Sequence, residues 1–335
     1  MTRLVRLGLI AAAAVLSAAT AFAQTGPSFS CAKASNDIER TICKDPELAK
    51  ADREMAAAYA ALAAKLSGAA KENLEKEQAR WIGDRNRGCA ADTDGIAPCL
   101  KRRYAARTTN LRASTEGIYP FISEQSLSKN TKLGKITYSY DISYPKFEGN
   151  TADFSAVNAR FANAAKKAIA DATPQADSGL DREQEWTYEQ SFMTYRPDGN
   201  AVTIAVDFYG FSGGAHGYGA TNCTLVDLRT GKVAGPAGPD GVFASGDKWL
   251  KTMIEIVGAD LKKQFVEKPG FDEALEPASL AKLLREPAHY CWHANRLELI
   301  FNAYEVGPYV SGPFEVHVPY DRLKPLLRKD GPISR

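Results

Sequence analysis

Apolar residues recur at helical spacing along the first third of the chain. Leu48, Met55, Tyr59 and Leu62 lie three to four residues apart or at multiples of that spacing, which predicts one buried face of a helix. The preceding Asp45-Pro46 pair is typical of a helix start, with an N-cap aspartate followed by proline. Further helices are predicted around Asn36–Cys43, from Lys71 to Gly88 and from Pro98 onward. Residues 24–115 are therefore expected to form a small helical domain.

The pattern changes after residue 115. Residues 116–134 are mostly polar and show no clear period, so we expect a linker there. From Ile136 the apolar residues alternate with polar ones, as in a half-buried strand. Further strands are expected at 186–196, 201–211, 218–228, 297–304 and 314–318, and helices at 154–169, 245–265 and 271–284. This order predicts an α+β fold with an antiparallel sheet over residues 135–335.

Residues 1–23 have the pattern of a secretory signal peptide. Arg3 and Arg6 precede a mostly apolar run that ends in Ala21-Phe22-Ala23, so we expect cleavage after Ala23. No later apolar run is long enough to span a membrane. The mature protein is therefore expected in the periplasm or outside the cell, without a membrane span.

The charge balance excludes one class of partner. The chain has 42 basic and 40 acidic residues, and removal of Arg3 and Arg6 with the leader leaves 40 of each. A nucleic-acid-binding protein would normally show a basic excess, so no nucleic acid is expected as a partner. Acidic residues are concentrated at 181–189. This segment is either a solvated face or a surface that attracts a basic partner.

Six cysteines follow the leader, and an exported chain with an even number usually forms disulfides. Six cysteines allow 15 pairings, and the sequence alone does not select one. If each domain closes its own bridges, Cys223 pairs with Cys291. The neighbouring choices in the first domain are Cys31 with Cys43 and Cys89 with Cys99. Zinc is the alternative, but the spacings are not those of a C-x2-C site.

Two patterns could carry chemistry, and neither is specific. Gly210–Gly214 matches G-x-S-x-G with Ser212 as nucleophile, but a strand rather than a helix is predicted to follow. The competing interpretation is a glycine-rich hairpin loop. His289 and His293 lie four residues apart, without the H-E-x-x-H pattern of a zinc site. We therefore predict no catalytic residues, no metal and no cofactor.

Aromatic residues are more informative. The segment from Tyr304 to Pro313 joins two predicted strands, and its two prolines stiffen it around Tyr309. Tyrosine on a rigid loop is a favoured anchor in protein interfaces. A tyrosine packed into the core is the alternative.

The first domain resembles the N-terminal family of the lysozyme inhibitor LprI. The resemblance covers about 80 residues and rests on residues that fall in the family's order. They are Cys31-Ala32-Lys33-Ala34, Glu39, Ile42-Cys43, Asp45-Pro46-Glu47-Leu48, Asp52, Tyr59, Gln78, Trp81, Arg85-Asn86, Cys89, Cys99, Tyr104 and Arg107.

Residues 135–325 resemble the extracellular domain shared by the lysozyme-sensing anti-sigma factor RsiV and the non-catalytic part of PdaC-type peptidoglycan deacetylases. The matching residues are Tyr144-Pro145, Gly213–Gly217, Leu228, Thr230–Lys232, Glu305–Tyr309, Gly312 and Val318–Tyr320. The resemblance implies an α+β fold. The chain contains neither a sigma-binding segment nor a deacetylase catalytic domain, so neither signalling nor deacetylation is implied.

Both resemblances point to lysozyme or the cell wall. The partner that we expect is a lysozyme-type muramidase, inhibited without covalent chemistry. By analogy with RsiV-like domains, the loops Ser212–Tyr218 and Pro308–Pro313 would enter its cleft. Ser212 and His216 would donate hydrogen bonds, Tyr218 would join the contact, and Tyr309, held by Pro308, would occupy a sugar subsite. One alternative is a module that binds peptidoglycan or another periplasmic protein without inhibiting an enzyme. The other is a hydrolase that uses Ser212.

Overall fold

The structure is a computed structural model that describes residues 26–115, 120–149 and 151–334. The predicted signal peptide and its cleavage site lie outside the described residues. Within the described part of the chain, no helix combines the length and the apolar character needed to cross a lipid bilayer.

Four helices form the N-terminal unit: α1 (Asp37–Lys44), α2 (Pro46–Ala63), α3 (Gly68–Ala90) and α4 (Ile96–Thr115). The starts of the first two follow the predicted caps. The Asn36 side chain accepts a hydrogen bond from the backbone N–H of Glu39 at 2.9 Å. The Asp45 carboxylate accepts from the N–H groups of Glu47 and Leu48, and Pro46 occupies the first turn. The helical fold of the N-terminal region is confirmed.

One predicted helix end is wrong. Helix α3 continues through Gly88 to Ala90. The guanidinium group of the exposed Arg103 on α4 lies over Gly88, 2.6 Å from where a Cβ would be. The glycine is therefore covered by a side chain of the next helix and does not end α3.

A six-stranded sheet follows, and its strands are adjacent in chain order. They are β1 (Phe121–Leu133), β2 (Ile136–Glu148), β3 (Gln184–Tyr195), β4 (Ala201–Phe211), β5 (Tyr218–Asp227) and β6 (Lys232–Ala234). All neighbouring pairs are antiparallel except β2 and β3. That pair is parallel because helix α5 (Ser155–Ala172) connects the two strands as a crossover. The α+β class is confirmed, with one parallel pair in the sheet.

The linker predicted at 116–134 is wrong for residues 121–133. This segment is β1, the long edge strand of the sheet. Only Phe121 and Ser123 in it are buried, because the rest of the strand extends along the edge with most side chains exposed to water. A strand that buries so little has no alternating apolar pattern, which is why the sequence did not reveal it.

A second, three-stranded sheet contains β7 (Tyr290–Trp292), β8 (Arg296–Phe301) and β9 (Phe314–Pro319). One of its faces packs on α6 (Lys248–Glu267) and α7 (Pro277–Leu283), and the short α8 (Tyr320–Leu323) follows β9. The helix predicted at 271–284 is divided into a 3-10 turn and α7, because Pro277 begins a new helix.

The two sheets are joined by a disulfide between Cys223 on β5 and Cys291 on β7. The Thr203 hydroxyl on β4 also donates a hydrogen bond to the carbonyl of Trp292 at 3.0 Å. The other disulfides, Cys31–Cys43 and Cys89–Cys99, lie within the helical unit. These are the neighbouring pairings considered in the sequence analysis.

Candidate functional site

Two loops from different sheets meet at one end of the molecule. The β4–β5 loop (residues 212–217) belongs to the large sheet, and the β8–β9 loop (residues 302–313) belongs to the small one. Asn302 joins them at the base. Its side-chain oxygen accepts from the backbone N–H of Thr221 at 2.9 Å, and its side-chain nitrogen donates to the Thr221 carbonyl at 3.3 Å. The two loops that the sequence analysis singled out are therefore neighbours.

Three aromatic side chains form the surface of this junction, and we call them the aromatic cluster: His216, Tyr304 and Tyr309. The rings of His216 and Tyr309 stack with centroids 3.9 Å apart and planes inclined by 17°. The ring of Tyr304 lies 5.9 Å from that of Tyr309, and its hydroxyl is 3.4 Å from Nε2 of His216. Beside the cluster, Val310 is 84% exposed. The cluster is thus a preformed apolar surface open to solvent.

The hydrogen bonds of His216 define its tautomer. Nδ1 lies 2.7 Å from the carbonyl oxygen of Gly217. Since a carbonyl can only accept, Nδ1 carries the proton, and Nε2 of the neutral ring accepts from the Tyr304 hydroxyl. His216 can therefore donate through Nε2 to a partner's carboxylate only after the ring takes up a second proton.

The β8–β9 loop is held from beneath by the end of α6. Lys268 donates to the carbonyl oxygens of Ser311 and Pro313 at 3.3 and 2.6 Å, and its ammonium group lies 3.8 Å from the centroid of the Phe314 ring. The Ser311 hydroxyl donates to the Pro269 carbonyl at 2.6 Å. A loop fixed in this way loses little conformational entropy when it binds a partner.

A buried ion pair supports the other end of the same loop. Nε2 of His289 is 3.1 Å from the Glu305 carboxylate, and the other carboxylate oxygen accepts from the backbone N–H of Asn302 at 2.6 Å. Burial alone lowers the pKa of His289. The hydrogen bond and charge of Glu305, with the Leu283 carbonyl and the charge of Glu286, outweigh burial and raise this pKa above its ordinary value.

Tyr304 has a conformation that the sequence does not reveal. Its φ is +72°, and no other non-glycine residue among those described has a positive φ. A bulky side chain in this region is strained, and such strain persists where the surroundings impose it. Here the Tyr304 N–H donates to the Gly307 carbonyl at 2.9 Å, which closes a tight turn. The turn directs the exposed Tyr304 side chain to the cluster. Tyr304 was not among the site residues predicted from the sequence.

The remaining predicted site residues lie in different surroundings. The Tyr218 ring packs across Gly210, where a Cβ would lie 2.5 Å from the ring. The same ring contacts Phe208 on the side of the sheet that carries α5. Pro308 precedes a single 3-10 turn that contains Tyr309. Ser212 is exposed at the start of the β4–β5 loop.

The geometry does not favour a serine hydrolase. Within the described residues no hydrogen bond joins Ser212 to a histidine, and both nitrogens of His216 are engaged elsewhere. Strand β5 follows the loop, so the strand-to-helix turn of a nucleophile elbow is missing at this position. His289 and His293, which are four residues apart in sequence, do not form one site. His289 contacts Glu305, whereas His293 contacts Glu298.

Several of the residues that carried the resemblance of the helical unit are buried and bonded to one another. The Arg85 guanidinium donates to the Tyr104 hydroxyl, which donates to the Asp52 carboxylate, each at 2.7 Å, and all three residues are buried. Arg107 donates to the side chain of buried Gln78 at 3.0 and 3.1 Å. These residues stabilise the helix packing, so they identify the fold of the unit rather than a binding surface.

Comparison with known families finds matches to three consecutive segments of the chain. Residues 31–132 match the model described as "Lysozyme inhibitor LprI", and residues 132–218 match "Deacetylase PdaC". Residues 240–321 match "Protein of unknown function (DUF3298)". The chain thus carries, in this order, segments similar to the LprI, PdaC and DUF3298 models.

Solved structures of the last family are also similar. A DUF3298 family protein from Pseudomonas aeruginosa PAO1 is 18% identical, with 63% of this chain and 97% of that chain covered and a TM-score of 0.43. A family member from Bacteroides fragilis NCTC 9343 is 15% identical, with coverage of 62% and 94% and a TM-score of 0.44. No curated protein matches the chain.

Proposed function

We propose that this protein is an exported inhibitor that binds a basic lysozyme-type muramidase and covers its cleft with the aromatic cluster. The match of residues 31–132 to the lysozyme inhibitor LprI model supports a non-catalytic, inhibitor-like role. The three disulfides fit a protein of an oxidising compartment, the periplasm or the cell exterior. The observation that carries the proposal is the stacked His216–Tyr309 pair at the junction of two loops.

The cluster has the properties of an interface anchor. Its rings are large and partly exposed, and the hydrogen bonds of Lys268, Asn302 and Glu305 hold its backbone in place. Rigid tyrosines surrounded by polar groups supply much of the free energy of binding in protein interfaces. Tyr309 and His216 would enter the cleft together as one stacked unit, with Tyr304 beside them and Ser212 at the rim.

The acidic segment 181–189 adjoins this surface. A Cβ on Gly213 of the β4–β5 loop would lie 2.8 Å from the Gln184 side chain and 3.8 Å from the indole nitrogen of Trp186. Asp181, Glu183 and Glu185, the acidic residues next to these two in sequence, are exposed. A negative field next to the cluster would speed the approach of a basic enzyme and weaken as salt is added.

A muramidase assay with one matched pair of variants tests the proposal. Val310→Arg places a charge and a larger side chain beside the cluster, and we expect it to abolish inhibition of a basic animal-type lysozyme. Met193→Arg is the control, because Met193 is also exposed, at 52%, but lies far from the cluster along β3. The β3 residue beside the β4–β5 loop is Thr187, which pairs with Phe211, and Met193 lies six residues further along the strand. Equal inhibition by both variants would place the contact elsewhere, and no inhibition by the unaltered protein would refute the proposal.

A groove on the other side of the large sheet favours a second candidate function, peptidoglycan binding. The groove has a volume of about 480 Å³ between α5 and strands β3 to β5. Tyr188, Phe208 and Tyr218 line it together with polar side chains such as Arg160 and Asn222. Aromatic faces with a polar rim suit a sugar chain. In cosedimentation with purified sacculi, this function predicts that Tyr218→Ala reduces pelleting and Tyr309→Ala does not.

A further inference from the structure

A cluster of histidine and glutamate side chains lies on the small sheet, away from the aromatic cluster. We call Glu298, Glu315 and His317 the histidine–glutamate cluster. Glu298 on β8 is directly opposite His317 on β9, and Glu315 precedes His317 by two residues, so all three side chains share one face. One donor atom from each lies within 4.8 Å of the other two.

The distances suit a small cation. Nε2 of His317 is 2.7 Å from Oε1 of Glu298 and 3.9 Å from Oε2 of Glu315. Zinc binds imidazole nitrogen and carboxylate oxygen at about 2.0–2.2 Å in tetrahedral geometry, so its ligand atoms lie roughly 3.3–3.5 Å apart. Small side-chain rotations would bring these three donors to that spacing.

The surroundings orient the central carboxylate. Oε2 of Glu298 is 2.8 Å from Nε2 of His293, whose ring contacts that of Tyr195 with centroids 3.9 Å apart and planes inclined by 36°. The Arg296 guanidinium is 3.3 Å from Oε1. Glu298 is largely buried, whereas Glu315 and His317 are half exposed. Ligand carboxylates in metal sites are typically held by such hydrogen bonds, with the metal reached from the solvent side.

We infer that Glu298, Glu315 and His317 bind one divalent transition-metal ion of the zinc type. His293 holds the second oxygen of Glu298, and water completes the coordination. The mixture of imidazole and carboxylate donors favours zinc over calcium or magnesium, which prefer oxygen ligands alone. The ion would tie β8 to β9 and compensate the carboxylates of Glu298 and Glu315, which share this face of the sheet.

The rest of the chain offers little competition for zinc. All six cysteines form disulfides, so no thiolate is available. The chain has four histidines, of which His289 is buried against Glu305 and His216 is engaged in the aromatic cluster. A titration should therefore report this site alone.

The test is a calorimetric titration of the tag-free, chelator-treated protein with zinc chloride. We expect one equivalent to bind, with no saturable binding of calcium or magnesium. His317→Ala and the exposed Glu315→Gln should each abolish saturable binding, and His293→Gln should weaken it by about 10–100-fold, the usual effect of losing a hydrogen-bond partner of a ligand. Circular dichroism of each variant verifies the fold.

His216→Ala is the matched control, because it removes a histidine outside the histidine–glutamate cluster. It should bind zinc as the unaltered protein does. Zinc binding that survives both His317→Ala and Glu315→Gln, or that is absent from the unaltered protein, would overturn the inference.

Discussion

The stacked rings of His216 and Tyr309 belong to residues 93 positions apart in sequence and come from two different sheets. Each ring restricts the other, so neither presents its surface independently. If the pair binds as one unit, the two side chains must be coupled energetically in the complex.

A double-mutant cycle measures that coupling. Tyr309→Ala should weaken lysozyme binding by about 2 kcal/mol or more, as for an interface anchor. His216→Ala should also weaken it, and the double variant should lose less than the two separate losses combined, by about 0.5–1.5 kcal/mol, the usual energy of an aromatic pair. Calorimetric affinities of the four proteins give the result. Additive losses would mean that the rings act separately.

A second prediction at the residue scale concerns pH. The pKa of His289 is raised in the folded protein, so its contribution to stability is present below the ordinary pKa of 6.5 and is lost as pH rises through the folded value. Between about pH 6 and pH 8, denaturant titrations should show the free energy of unfolding falling more for the unaltered protein than for Glu305→Gln. Parallel changes in the two proteins would show that this ion pair does not contribute.

At the scale of elements, most of the fold was predictable because the spacing of apolar residues differs between amphipathic helices and half-buried strands. Helices α1 and α2 begin at their predicted caps, and Ile136 and Tyr138 mark β2 by alternation. Strand β1 was missed since its exposed side chains carry no pattern. The parallel pairing of β2 with β3 was missed as well, because it depends on where α5 crosses the sheet.

The candidate site was predictable only in part. Tyr309 stood out as an aromatic residue on a proline-stiffened loop, and His216 was named by analogy with RsiV-like domains. Their contact could not be foreseen, because it depends on the packing of two sheets. Tyr304 was missed because its position depends on a positive φ. Lys268 was missed because it acts by donating hydrogen bonds to carbonyl groups that are distant in sequence.

At the scale of the whole molecule, the Cys223–Cys291 disulfide joins the sheets that supply the two loops. It closes a segment with a sequence separation of 68, against 12 and 10 for the bridges of the helical unit. Since the entropy removed from the unfolded chain grows with loop length, this bridge should stabilise the protein most.

Replacing both of these cysteines by alanine should therefore lower the free energy of unfolding by about 4 kcal/mol, whereas removing either short bridge should cost about 3 kcal/mol. Urea titrations of the three double variants make the comparison. A smaller loss for Cys223→Ala/Cys291→Ala than for the short bridges would show that the sheets hold together without the bridge.

The proposed function requires that the aromatic cluster bind a basic lysozyme. Calorimetric titration of residues 24–335 with a basic animal-type lysozyme, at low and at physiological salt, tests it most directly. We expect saturable binding at micromolar concentration or tighter, weaker at the higher salt and lost in Val310→Arg but not in Met193→Arg. No saturable heat at either salt concentration, or equal binding by the two variants, would contradict it.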